Sequence, residues 1–329
     1  MTKKLNWGIL GAGDIAHMQT ADLTENGHSV VAVGSRDQTR GNEFAAKYGI
    51  STVYTDYSDL VNDPNVDIIY VATPHVFHLE HASLALNAGK HVLCEKPFTI
   101  NAGESAQLLE LADSKNLVIL EAMWTRFLPH MVQLRKDLAA GLIGEVRGVH
   151  ADFSVNFPVN EEHRLYNRSL GGGALLDLGI YPISFAIDVL GFPDKVTARG
   201  SLTHTNVDAN DSVIFEYNDG RQATLTTALN ASGPVTAVVL GTEGSIRIDS
   251  PFFTQVGYKR YSSFGVLEAE FEVTPVSRGM QFQAVEIERL INAGERQSPI
   301  ISNQDSHAIM QLMDGIRAQL GVTYLSESN

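Results

Sequence analysis

Cysteine is nearly absent: Cys94 is the one thiol in 329 residues. A lone cysteine excludes an intrachain disulfide and a multi-cysteine zinc site, and a reducing compartment is the simpler setting. Positive charge is also short, with 24 Lys and Arg against 38 Asp and Glu, a formal net charge of −14. A nucleic-acid surface needs a basic footprint, so that class of partner is not expected. A local basic patch for a small anionic cofactor remains open. Long apolar runs are missing too. The basic, then apolar start at residues 1–5 leads within a few residues into a glycine turn, and no stretch approaches the ~18 apolar residues of a membrane span. The reading is a cytoplasmic protein without a targeting peptide and without a membrane partner.

What is present suits a globular enzyme. With 44 % hydrophobic and 19 % charged residues, the chain can fill two cores at ~150 residues per domain. Short apolar segments at Leu5–Leu10, Ser29–Gly34, Thr52–Tyr54, Ile68–Ala72, His91–Cys94 and Val118–Glu121 read as strands. Helical spacing over Asn42–Tyr48, Leu79–Asn87 and Ala102–Asp113 separates several of them. Alternating strand and helix predicts a doubly wound parallel sheet, a Rossmann domain over residues 1–123. Residues 124–329 change texture. A helix over Leu128–Ala140 precedes alternation at Val149–Val155, and Gly171-Gly172-Gly173 opens a helix running to Leu190. Strand patterns then dominate Lys195–Thr274, with a hairpin at Asp219-Gly220, and helices follow at Met280–Ile291 and Ser302–Leu320. The expectation is an α/β protein whose second, α+β domain carries a large open, mostly antiparallel sheet. Its C-terminal helix has the option of packing back on the first domain.

The first strand runs into Gly11-Ala12-Gly13-Asp14-Ile15-Ala16, a G-x-G-x-x-A turn opening a helix. Such a turn brings backbone amides and the positive end of the helix dipole up to a pyrophosphate. An acid at the end of the second strand would bind the ribose 2′-hydroxyl of NAD. Here that strand ends Val33-Gly34-Ser35-Arg36, with Arg40 one turn further on. Ser35, Arg36 and Arg40 suit a 2′-phosphate, since a guanidinium pairs with phosphate through two hydrogen bonds. NADP is therefore expected ahead of NAD; the alternative leaves Arg36 as a surface charge and gives Asp37 to the NAD ribose.

Further on, Glu95-Lys96-Pro97 closes a buried strand, where open α/β sheets present residues to their ligands. The alternative is an ordinary surface Glu–Lys pair. Asp177 and Tyr181 lie four apart on a predicted helix and share a face. Together with Ala72-Thr73-Pro74 and His78, these motifs resemble those of the Gfo/Idh/MocA oxidoreductases, over essentially the whole chain. In that family the lysine lies by the nicotinamide and the substrate, and the aspartate of the D-x-G motif faces the substrate pocket. Tyr181 stands where many sugar-oxidising members carry histidine. That departure, the Glu121–Phe127 segment and Ser35-Arg36-Asp37 resemble the branch of dimeric dihydrodiol dehydrogenases and NADP-dependent D-xylose dehydrogenases.

The resemblance implies hydride transfer between NADP and a secondary alcohol or carbonyl of a sugar, polyol or cyclic diol. Lys96, Tyr181 and Asp177 form the expected catalytic set. Tyr181 is the first choice for the proton, because an ammonium at Lys96 favours its phenolate; Lys96 as the base is the reverse assignment. The expected cofactor contacts are Gly11, Ala12, Gly13, Asp14, Ile15, Ser35, Arg36, Arg40, Thr73, Pro74, His75, His78, Glu95, Lys96, Pro97, Trp124 and Arg126. Trp124, Phe127, Arg164, Asp177 and Tyr181 are the expected substrate contacts. No metal is expected, since His75, His78 and His81 lack a recognisable ligand set; His81 reads as a helix-surface residue. Family likeness also implies a homodimer, or a dimer of dimers, through the C-terminal sheet. Two rival readings stand beside this one: a catalytically silent nucleotide-sensing regulator and an NAD-specific sugar dehydrogenase.

Overall fold

Apolar runs without alternation belong to strands buried on both faces, the condition of a parallel sheet covered by helices. The computed structural model, which describes residues 4–327, contains this sheet. Its strands are β1 (Asn6–Leu10), β2 (Ser29–Gly34), β3 (Thr52–Tyr54), β4 (Ile68–Val71), β5 (His91–Glu95) and β6 (Ile119–Ala122), each within two residues of its predicted bounds. All pair in parallel, in the order β3-β2-β1-β4-β5-β6. The order reverses between β1 and β4, the switch point at which ligands bind outside the carboxyl ends of such sheets. Helices Asp14–Glu25, Gln38–Tyr48, His78–Asn87 and Ala102–Ser114 connect the strands. A further short helix, Tyr57–Asn62, capped by Asp56 onto the Ser58 N–H, was not legible because six residues give too little periodicity.

The strands that follow are β7 (Val146–Ser154), β8 (Lys195–Leu202), β9 (Asp208–Glu216), β10 (Gln222–Ala228), β11 (Ala237–Gly241), β12 (Gly244–Ile248), β13 (Tyr258–Ser262) and β14 (Leu267–Phe271). They form a second sheet ordered β14-β13-β12-β11-β7-β10-β9-β8, in which β7 and β10 run parallel and the other pairs antiparallel. The Asp219-Gly220 hairpin closes with Glu216 opposite Gln222. Strand β9 alternates as a one-face-buried strand should: Ala209, Val213 and Phe215 are buried, while Asn210, Ser212 and Ile214 are exposed. Helix Ile180–Leu190 packs on the buried face.

Two expectations are corrected here. The segment after the three glycines is not α-helical throughout: Leu175–Gly179 is a π turn, and the α-helix proper begins at Ile180. The i→i+5 bonding widens that turn, and such insertions in helices are frequent at functional sites. In addition, the span Arg168–Leu190 is long and apolar enough to pass for a membrane segment, yet 89 % of its apolar window is buried inside the fold. It is a core helix, hydrophobic on all sides because it is covered on all sides.

Residues up to Trp124 cluster with Val276–Met310 as one unit; Thr125–Pro275 and the chain from Gln311 onward make the other. The first boundary thus falls between Trp124 and Thr125, and residues 276–310 belong with the first unit. Polar contacts account for the return. The buried Asp22 accepts the backbone N–H groups of Arg278 and Met280, Gln283 bonds Gln19, and Glu288 accepts from Trp7 Nε1 and faces His28.

Candidate active site

In the first unit, β1 ends at a turn where Gly11 holds φ +106°, a conformation open to glycine, and donates its N–H to Gly34 O at 3.0 Å. Helix Asp14–Glu25 starts at Gly13 without a side-chain cap, and a Cβ built at Gly13 would meet nothing within 4 Å. That open, uncapped start suits an anion. Ala12 and Ile15 are half-buried and Asp14 is exposed. Arg40 reaches back to this turn, donating from Nη2 to Ala12 O at 3.3 Å. Arg36 is exposed and interacts with the Tyr57 hydroxyl. Asp37 faces elsewhere: its Oδ1 accepts the N–H groups of Thr39 and Arg40 as the cap of its own helix, and Ser35 Oγ donates to Asp37 O.

At the tip of β5, Lys96 is buried, 8 % exposed, in a turn supported from several sides. Glu95 accepts from the Tyr70 hydroxyl and from the Lys96 N–H. Glu121, at the tip of β6, accepts the Phe98 N–H at 3.1 Å and the Ser306 hydroxyl at 2.6 Å. His78 sets its ring between Pro97 O and Thr73 O, each at 2.9 Å. Burial holds this imidazole down to about 4, so it is neutral and donates to one carbonyl at a time. Fully buried, His78 ties the tip of β4 to the lysine turn. His81 is likewise not a surface residue. It lies between the Tyr57 and Phe77 rings and bonds Thr73 Oγ1. His75 is buried against the His78 ring, with Thr73 and Pro74 half-buried beside it.

In the second unit, Asp177 lies on the π turn and receives both guanidinium nitrogens of Arg164, at 2.8 and 3.1 Å. The pair joins a buried acid to an arginine whose side chain is 47 % exposed. Tyr181 follows in the first turn of the α-helix, its ring packed on Phe153 and Phe253 at centroid separations of 5.3 and 5.1 Å. Trp124, in the first unit, and Phe127, in the second, are both buried. Arg126 forms a clamp within the second unit. Its Nε donates to Ser184 Oγ, its Nη2 to Ser184 O and its Nη1 to Asp188. Arg135 binds the other oxygen of that buried aspartate. Removing one partner of a buried pair leaves the other charge underpaired. Arg126→Met should therefore lower the unfolding free energy by about 3 kcal/mol, the low end for such losses because Arg135 remains. Urea unfolding reads this, and a change within about 0.5 kcal/mol would place the guanidinium outside the clamp.

Comparison with known proteins bears on this arrangement directly. Residues 5–122 match the model described as an oxidoreductase family with an NAD-binding Rossmann fold, and residues 131–247 match the GFO/IDH/MocA C-terminal domain. The chain belongs to the GFO/IDH/MocA oxidoreductase family. It is 36 % identical to trans-1,2-dihydrobenzene-1,2-diol dehydrogenase of Bos taurus across 97 % of this chain and 98 % of that one. Identity to the enzyme of the same name from Danio rerio is 35 %, across 98 % and 99 %. Among solved structures, KijD10, a 3-ketoreductase from Actinomadura kijaniata bound to NADP and TDP-benzene, superposes with TM-score 0.84 at 25 % identity, covering 97 % of this chain and 98 % of that one. An aldose–aldose oxidoreductase from Caulobacter crescentus superposes with TM-score 0.85 at 26 % identity, covering 96 % and 97 %. This GFO/IDH/MocA member is an NAD(P)-dependent dehydrogenase or reductase with an NAD(P)-binding Rossmann domain.

Several residues around the family motifs escaped sequence reasoning. Phe153 was visible as a buried strand position, but Phe253 is 72 residues from Tyr181 in the chain and no spacing links them. Glu121 lay inside a segment noted for its likeness, without any sign that it bonds the Phe98 amide.

Proposed function

We propose that the protein oxidises a secondary alcohol of a cyclic diol, sugar or polyol with NADP, or reduces the corresponding carbonyl with NADPH. The observation that carries this reading is the buried lysine at the tip of β5, one strand beyond the switch point at β1 and β4. A buried ammonium there can bind and polarise a substrate oxygen, in a position where α/β enzymes hold their ligands. The nicotinamide supplies the hydride acceptor. Gly11–Ile15 would hold the pyrophosphate, Arg36 and Arg40 the 2′-phosphate, and Thr73–His75 with Glu95–Pro97 the nicotinamide half.

Tyr181 takes the hydroxyl proton as the carbinol C–H leaves as hydride, so the alcohol loses two electrons and becomes a carbonyl. Lys96 stabilises the oxygen on which negative charge develops, and a cation next to a phenol also favours its ionised form. Lys96 taking the proton is the other assignment. Asp177 and Arg164 meet a further hydroxyl of the substrate, and Phe153, Phe253, Phe127 and Trp124 offer apolar surface to a ring. The dihydrodiol dehydrogenase relatives favour a cyclic diol within this class. The second sheet, large and open, supports a homodimer or dimer of dimers.

The test is turnover of trans-dihydrodiols, aldoses and polyols with NADP and with NAD at equal concentration, followed as reduced nicotinamide. Faster reduction of NADP with a diol or sugar is expected. Preference for NAD would move the ribose contact to Asp37; tight NADPH binding with no turnover on any alcohol would leave a sensing protein. A second expected result concerns the arginines. A charge-assisted hydrogen bond contributes about 1.5–3 kcal/mol. Arg36→Ala should therefore raise KM for NADP by roughly ten- to a hundredfold while leaving KM for NAD unchanged. Equal effects on both cofactors would remove Arg36 from the 2′-phosphate.

A further inference from the structure

The segment carrying Asp177 and Tyr181 starts at the three glycines, and two carboxyl groups that the proposed reaction does not use lie against its start. Asp208, the first residue of β9, is 0 % exposed, and Asp211 is 3 % exposed. Asp208 Oδ2 accepts the backbone N–H of Leu175, the first residue of the π turn. Two glycines make room for the pair. Gly173 sits at φ +118°, and a Cβ there would fall 2.1 Å from Asp208 Oδ1. Gly200, opposite Asp211 on β8, would place a Cβ 2.2 Å from Asp211 Oδ1.

Counted as two carboxylates, the arrangement is chemically incomplete. Asp208 Oδ1 and both oxygens of Asp211 have no hydrogen-bond donor. Buried acceptors without donors are costly, and two adjacent anions out of water cost more. The other titratable group facing the pair is the Tyr324 phenol, which donates to Gly172 O at 2.8 Å. Behind its ring stands Arg317, whose charge is matched by Asp314 and Glu327. Among the described residues, no lysine or arginine is bonded to either acid.

We infer that Asp208 and Asp211 share one proton at neutral pH, Asp211 donating to Asp208, and that this dyad is the positioning element that fixes the start of the helix bearing Asp177 and Tyr181. Burial first, and the charge of Asp208 second, push the Asp211 carboxyl far above the usual carboxylate range, and burial also raises Asp208. One anion remains at the helix start, where the dipole and the Leu175 amide stabilise it. The sign of the linkage follows. The folded chain keeps a proton that the unfolded chain loses above its ordinary value of ~3.9, so this pair's contribution to stability falls as pH rises from there.

Infrared difference spectroscopy of the apoprotein at neutral pH, wild type against Asp211→Asn, tests the proton. A carboxylic-acid C=O band is expected in the wild type and not in the variant, and the fall of Tm between pH 6 and 9 should be shallower in Asp211→Asn. The positioning role is read in kcat. Asp211→Leu, which leaves Asp208 Oδ1 without a donor, should lose on the order of tenfold to a hundredfold at unchanged NADPH affinity. Asp211→Asn, whose amide still donates, should recover most of that loss. Absence of the acid band, as a bound cation in place of the proton would give, overturns the inference, and so does equal kcat in the Leu and Asn variants. The kcat comparison rests on the proposed role of Tyr181. The infrared measurement does not, so it stands if that reading fails, and it needs only folded wild type and Asp211→Asn if Asp211→Leu does not fold.

Discussion

Lys96→Met should reduce turnover by on the order of 10³-fold, the scale at which one preorganised donor to a developing oxyanion is lost, while NADPH still binds. Methionine keeps the length and apolar stem of lysine and removes the ammonium. The turn has supports besides that ammonium. Glu121 holds the Phe98 amide, His78 bonds Pro97 O, and Tyr70 fixes Glu95. Loss confined to kcat, with NADPH affinity by fluorescence titration within about threefold of the wild type, would mark the charge as acting on the reacting oxygen. Wild-type rates in this variant would take Lys96 out of the mechanism.

Tyr181→Phe should lower kcat by about 10²–10⁴-fold, the usual contribution of a positioned general acid or base. The ring packs on Phe153 and Phe253, contacts that phenylalanine retains. A thermal midpoint near that of the wild type together with a large fall in kcat isolates the hydroxyl. A loss smaller than about threefold would move the proton to another group, Lys96 first. Comparing the two variants over a range of pH separates the assignments: the group that carries the proton should remove a limb of the kcat profile when it is replaced.

The first sheet was legible nearly strand for strand because parallel strands are apolar on both faces, and runs such as residues 68–71 have no other comfortable environment. The glycine turn was legible for a related reason: Gly11 needs a positive φ that few other residues tolerate. Local chemistry of this kind leaves marks in sequence. Long-range partnership does not. The sequence left a C-terminal helix the option of packing back, but nothing near Glu288 announces that it accepts a hydrogen bond from Trp7, so the extent of the return, residues 276–310, was hidden. Arg126 looked available in a motif-rich segment, but its partners Ser184 and Asp188 lie some sixty residues away. The π turn at Leu175–Gly179 was read as ordinary helix because apolar spacing cannot separate the two over five residues.

The most direct measurement is a crystal structure with NADP and a substrate alcohol, or the matching ketone with NADPH. The expected result has Lys96 Nζ and the Tyr181 hydroxyl each within about 3.2 Å of the substrate oxygen, with the carbinol carbon facing C4 of the nicotinamide. A ternary complex in which either group lies beyond the reach of that oxygen, directly or through one water, would contradict the account.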